Sequence, residues 1–210
     1  MRLLGVMILL VGCDAGMAVG PDTPTKPVDG PQGDLGMFVR WNADPSLPGS
    51  LTEKITVSDV TFQIDHFQIL ADAGSITRSK YVLAWDREGS PQQDMFPEAP
   101  PGVYSKITLA MMGGGFGENS FRIRGTWRDN GPPKLFEIHD RSQLSISFDC
   151  DQTLSAASSA TIDIKVDLEA AIEGINFKNL DSEDGVLELH DGPELMAFRG
   201  RLQRSFALDR

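Results

Sequence analysis

The chain has 210 residues, 40% of them hydrophobic, with 30 acidic residues against 19 Lys and Arg and a net charge of −11. That length and apolar content suit one ordinary domain or two small ones and exclude a disordered polar chain. The acidity argues against nucleic acid as a partner, because phosphate binding needs a basic face, and two cysteines are too few for a disulfide scaffold or a four-thiolate zinc site.

In chain order, Arg2 comes first, then a wholly apolar run from Leu3 to Val11, closed by Gly12 and Cys13. This is the layout of a secretory signal, and it is too short to span a bilayer. Leu10-Val11-Gly12-Cys13 resembles the lipobox of bacterial lipoproteins. The resemblance implies diacylglycerol on the Cys13 thiol, cleavage before Cys13, and membrane lipid as a partner through that residue. A thiol is the soft, ionisable nucleophile that such a transfer requires. Two or more acyl chains anchor firmly where a single chain does not. A plain secretory signal cut near Ala18 and a buried apolar segment with an incidental cysteine are the alternatives. Residues 1–12 thus read as a lipoprotein signal peptide, and losing them removes Arg2 and moves the net charge to −12.

Residues 13–34 carry Pro21, Pro24, Pro27 and Pro31 among Asp, Gly and Thr. Such a stretch cannot bury enough surface to order itself, and its prolines stiffen it into a spacer. A long loop laid against the domain is the other reading. The address implied is the bacterial cell envelope, with inner or outer membrane left open.

Residues 35–210 read as one all-β domain. Gly36–Ala43 is a first strand. Glu53–Leu70 alternates at Ile55 and Val57, then at Val60, Phe62 and Ile64, then at Phe67 and Ile69. Its parity switches near Ser58-Asp59 and near Asp65-His66, which predicts a bulge or bend at each. Further strands are predicted at Lys80–Asp86, Val103–Met112, Ser120–Arg128, Lys134–His139, Gln143–Asp149 and Thr161–Leu168. Short strands with Gly, Pro and Asp turns point to an antiparallel β-sandwich or a barrel. Glu169–Glu173 reads as a short helix stopped by Gly174. Asp191-Gly192-Pro193-Glu194 opens a C-terminal amphipathic helix with its apolar stripe at Leu195, Phe198, Leu202 and Phe206, and with Arg199, Arg201 and Arg204 away from it. No repeat of fixed period is evident.

Two local patterns resemble uncharacterised bacterial lipoproteins with a β-sandwich domain of unknown function. One is Pro100-Pro101-Gly102-Val103-Tyr104-Ser105-Lys106-Ile107-Thr108-Leu109, a Pro-Gly turn feeding a Tyr-bearing strand. The other is Val166 to Phe177, a strand running into a short helix. The C-terminal helix with Ser205-Phe206-Ala207-Leu208 is similar too. The resemblance implies a β-sandwich fold and an envelope address, and it brings no catalytic residue with it.

Little in the chain reads as chemistry. The histidines, His66, His139 and His190, each adjoin an Asp, but none has another His three or four residues away and no Cys-x-x-Cys occurs. They read as separate strand-end surface residues, so neither a metal site nor a catalytic site is expected. Asp149 and Asp151 flank Cys150 and would raise its thiol pKa, which suits an inert, half-buried cysteine. The acidic run Asp181–Asp184 lacks EF-hand spacing and reads as a solvated turn, with a loose calcium loop as the other possibility. Gly113–Gly117 lacks the Lys-Ser/Thr of a phosphate loop and reads as a hairpin tip. No cofactor is expected. The function expected is non-enzymatic binding or scaffolding, with an envelope protein or a polysaccharide as partner. A glycan-binding module is the alternative if Trp41, Trp85 and Trp127 share an exposed face. A hydrolase would need convergent carboxylates or a His pair.

Overall fold

A computed structural model describes residues 35–85, 92–113 and 118–209. The predicted signal peptide, Cys13 and the tether lie outside the described residues, as do residues 114–117 of the glycine run.

The described chain is 59% strand and 13% helix. It begins with β1 (Met37–Asp44), the short β2 (Gly49–Ser50), β3 (Ile55–Ala71), β4 (Gly74–Trp85) and β5 (Gln92–Phe96). β6 (Gly102–Met111), β7 (Phe121–Trp127), β8 (Lys134–Asp140), β9 (Leu144–Leu154) and β10 (Ala160–Asp167) follow. Helix α1 (Leu168–Ile172) and a 3-10 turn at Phe177–Asn179 lead to β11 (Asp181–Glu183) and β12 (Val186–Leu189). Helix α2 (Gly192–Ser205) and β13 (Phe206–Leu208) end the fold. One sheet has the order β13-β10-β1-β5, and the other runs β11-β12-β8-β7-β3-β6-β9 with β2 and β4 also on β3.

β3 is the spine of the larger sheet. Its first half pairs with β7 and its second half with β6, and β4 lies along its other edge. The pairing skips one residue between Val57 and Asp59 and another between Ile64 and His66. These are the two places where the apolar parity switches. Each extra residue rotates the strand so that Val57, Val60, Phe62, Ile64, Phe67 and Ile69 all face the core.

The expectation of purely antiparallel sheets is corrected. β1 runs parallel to β10, from Met37 beside Ala160 to Asp44 beside Asp167. β12 runs parallel to β8. Neither pair is joined by a tight turn; long crossovers separate them in sequence, and a crossover permits the parallel direction.

β4 is longer than the predicted Lys80–Asp86 because it forms a hairpin with β3 from Gly74 onward. The acidic run Asp181–Asp184 is part of a second hairpin rather than a solvated turn alone. Glu183 faces Val186 across a two-residue turn whose residues, Asp184 and Gly185, have φ of 49° and 83°. Asp-Gly with both φ positive is the turn that suits the twist of a tight hairpin.

α1 forms where predicted, with the Asp167 carboxylate accepting from the Ala170 amide at 2.9 Å. α2 buries Leu195, Phe198 and Leu202. Phe206, the fourth member of the stripe, is not helical: it opens β13 beside Val166, and its ring still packs 5.6 Å from Phe62. The Pro-Gly-x-Tyr segment also has a defined contact. Tyr104 is fully buried, and its hydroxyl donates to the Pro100 carbonyl at 2.7 Å.

The two sheets share one hydrophobic core. Trp41 of β1 meets Phe67 of β3 edge-on at 5.3 Å, and Phe67 lies 6.1 Å from Phe96 of β5. Trp41 Nε1 donates to Asp94 at 3.1 Å, and Arg78 of the other sheet pairs with the same carboxylate. Trp85 Nε1 donates to the Trp41 carbonyl at 3.3 Å. Both indoles are thus buried with their polar atoms satisfied, as buried tryptophan requires.

Candidate functional site

β8 and the β12 segment carry the same short pattern. Leu135-Phe136-Glu137-Ile138-His139-Asp140 and Val186-Leu187-Glu188-Leu189-His190-Asp191 place Glu, His and Asp in the same three positions. The parallel register puts Val186 beside Leu135, Glu188 beside Glu137 and Leu189 beside Ile138. Alternation then does the rest. Phe136, Ile138, Leu187 and Leu189 enter the core, and two glutamates and two histidines stand together on the outer face.

The imidazoles of His139 and His190 are stacked, with centroids 5.4 Å apart and planes within 9°. His139 Nδ1 lies 3.3 Å from Glu137 Oε1, and His190 Nδ1 lies 3.5 Å from Glu188 Oε2. The other oxygen of Glu137 accepts from Arg124 Nε of β7 at 2.6 Å. His139 is 17% exposed and His190 44%. One ligand atom from each of His139, Glu188 and His190 lies within 4.8 Å of the other two. Burial holds His139 below the ordinary histidine range, with His190 and Arg141 acting in the same direction and Glu137 and Glu188 opposing them. Arg122 of β7 stands opposite His139, and Asp181 of β11 stands opposite Glu188. Chemically, the cluster offers two nitrogen donors and a carboxylate on a rigid sheet.

The reading of His139 and His190 as separate surface residues is therefore corrected. They are 51 positions apart in the chain, and only the crossover to a parallel neighbour brings them together. His66 does stand exposed on β3. The Asp residues after the two histidines diverge: Asp140 turns inward to Arg199 of α2 at 3.1 Å, whereas Asp191 precedes α2 as its cap residue.

The remaining candidates are distributed as follows. Trp41 and Trp85 are buried, and Trp127 is half-buried with its ring stacked 5.8 Å from Phe177. Cys150 is buried, with Sγ 3.3 Å from the Tyr104 carbonyl oxygen. Burial, then Asp149 and Asp151, push its thiol up to about 11.

Relative to the usual value of 9.0, that shift leaves the folded chain about 100-fold less thiolate at pH 8. In the full chain carrying Cys13→Ser, Cys150 is the single thiol. Its reaction with an aromatic disulfide at pH 8 is expected to be at least about 100-fold slower than in denaturant. Equal rates would refute the assignment. The sign for stability follows. Between pH 9 and about 11 the unfolded chain loses this proton and the folded chain keeps it, so stability falls as pH rises through that window.

Compared with known proteins, the chain matches no family model, no curated protein and no solved structure.

Proposed function

We propose that this chain is a membrane-anchored envelope lipoprotein whose β-sandwich domain binds or scaffolds an envelope protein or polysaccharide and performs no catalysis. One observation carries the reading. Arg2, the apolar run and the Leu10-Val11-Gly12-Cys13 box are followed by a proline-stiffened spacer and then by β1, starting at Met37. That order is what a domain held off a lipid surface needs. The net charge of a chain starting at Cys13 supports it too, because an acidic domain is repelled by an anionic leaflet and stands clear of it. The sandwich reading is supported by the ring contacts of Trp41 and Phe96 with Phe67 across the two sheets. Among the described residues no helix is long and apolar enough to cross a membrane.

The glycan reading has lost most of its support, since Trp41 and Trp85 are buried. What remains for it is Trp127, in a cleft of about 500 Å³ shared with Phe177 and Leu180. A hydrolase now has a His pair to use, but His190 is 44% exposed on an open sheet face. Reacting groups there would stay in water, whereas active sites are concave and exclude it.

The test is lipid labelling in cells with an alkyne fatty acid. The wild-type chain is expected to label and to sediment with membranes, and Cys13→Ser to do neither. Unchanged labelling of Cys13→Ser would end the lipoprotein reading.

A further inference from the structure

We propose that His139, His190 and Glu188 form a binding site for one divalent transition-metal ion of the zinc class. The inference is independent of whether Cys13 carries lipid.

The donor set selects the ion. Two imidazoles and one carboxylate suit zinc and its neighbours, whereas calcium and magnesium require oxygen ligands. The placement is not that of a generic charged surface. Two copies of Glu-x-His lie on neighbouring strands in matching register, so the like residues of each copy are adjacent. The imidazoles are stacked with centroids 5.4 Å apart, and a ring nitrogen of each lies within 4.8 Å of the other and of a Glu188 oxygen.

The two glutamates have different roles. Glu137 is held by Arg124 at 2.6 Å and lies 3.3 Å from His139 Nδ1, a buried nitrogen that makes no hydrogen bond among the described residues. Glu188 faces His190 and forms no ion pair with Lys or Arg among the described residues, which leaves it free to ligate. The opposing charges nearby are Arg122 and Arg141, and Arg124 is already committed to Glu137.

The distances are open but reachable. Zinc with bonds of about 2.0–2.1 Å holds tetrahedral ligand atoms about 3.3 Å apart. The three ligand atoms here span up to 4.8 Å. The site therefore requires the exposed His190 and the part-exposed Glu188 side chain to rotate toward His139 when the ion binds. The fourth position then faces solvent, as in sites that keep a water. Binding would also tie the β11–β12 hairpin to β8, so the ion should raise the melting temperature.

The experiment is calorimetric titration of ZnCl₂ into the metal-stripped full chain in detergent, with Cys13→Ser to remove a rival thiol. The expected result is one site with a dissociation constant on the order of micromolar or below, and a raised melting temperature. His190→Ala and Glu188→Gln, both at solvent-reachable positions, should each weaken binding at least about tenfold and abolish the thermal shift while keeping the native far-UV spectrum. His66→Ala should change neither. No saturable binding up to about 100 μM zinc, equal affinity in His190→Ala, or competition by Ca²⁺ at the same concentration as Zn²⁺ would each overturn the proposal.

Discussion

Gly125→Ala is expected to lower the unfolding free energy by about 3 kcal/mol or more, a large share of the roughly 5–15 kcal/mol that holds a domain of this size together. Gly125 lies on the core face of β7, between Val57 of β3 and Phe136 of β8. A Cβ there would overlap the backbone carbonyl oxygen of Thr56 and approach the Phe136 ring within 2.7 Å at Cζ and 2.8 Å at Cε1. The Phe136 ring is buried at 1% exposure and cannot swing away. The Thr56 oxygen belongs to a paired strand. The close approach has a local cause. The pairing skips Ser58 between Val57 and Asp59, directly across from Gly125 and Arg124, and the Ser58 hydroxyl donates to the Arg124 carbonyl at 3.2 Å. A bulge bends its strand, and a glycine in the neighbour makes room for the bend. Gly131→Ala is the control, since a Cβ there meets nothing within 4 Å. Urea unfolding followed by tryptophan fluorescence measures both. If the two variants had equal midpoints, Gly125 would not be the clearance for the β3 bulge.

How much of this was legible from sequence depended on whether the signal was local. The two bulges in β3 could be read because a parity switch is written in adjacent residues. β10 could be read because Ile162, Ile164 and Val166 alternate with Asp163 and Lys165. β5 could not. Gln92-Gln93-Asp94 looks like a loop, and Asp94 is buried only because Trp41 and Arg78 satisfy it. The Asp184-Gly185 hairpin was visible in principle, as an Asp-Gly turn, but its flanking strands are too short and too acidic to alternate convincingly. The histidine cluster was half visible. The repeated Glu-x-His-Asp could be found by comparing residues 135–140 with 186–191, once each histidine was seen to precede an Asp with Glu two residues before it. Nothing local could show that the two copies pair in parallel, because that depends on the crossover through β9, β10 and α1. The arginines of α2 make the same point. They fall away from the apolar stripe, yet Arg201 donates to the Ala171 carbonyl at 3.1 Å and Arg199 reaches a buried acid.

Arg199→Met should cost about 3 kcal/mol, more than a surface ion pair is worth. Asp140 has a side chain only 6% exposed, and its Oδ2 lies 3.1 Å from Arg199 Nη1. Its other oxygen accepts the Ser142 amide at 2.9 Å. Arg199 also donates through Nη2 to the Gln143 carbonyl at 2.7 Å, so it joins α2 to the β8–β9 turn by two contacts. Methionine keeps much of the apolar stem and removes the charge, which separates electrostatics from packing. The lost charge leaves the Asp140 carboxylate buried with a single hydrogen bond, and a buried acid without its counter-ion is the expensive case. Removing both members avoids that penalty. Arg199→Met with Asp140→Ala should therefore be less destabilised than the sum of the single variants by about 1–3 kcal/mol in a urea-unfolding cycle. Strict additivity would mean that the carboxylate is not held by Arg199. The pair also bears on the metal site, because Asp140 follows His139 directly. The contact that anchors the end of β8 from within the core fixes the strand position from which His139 meets His190 on the opposite face.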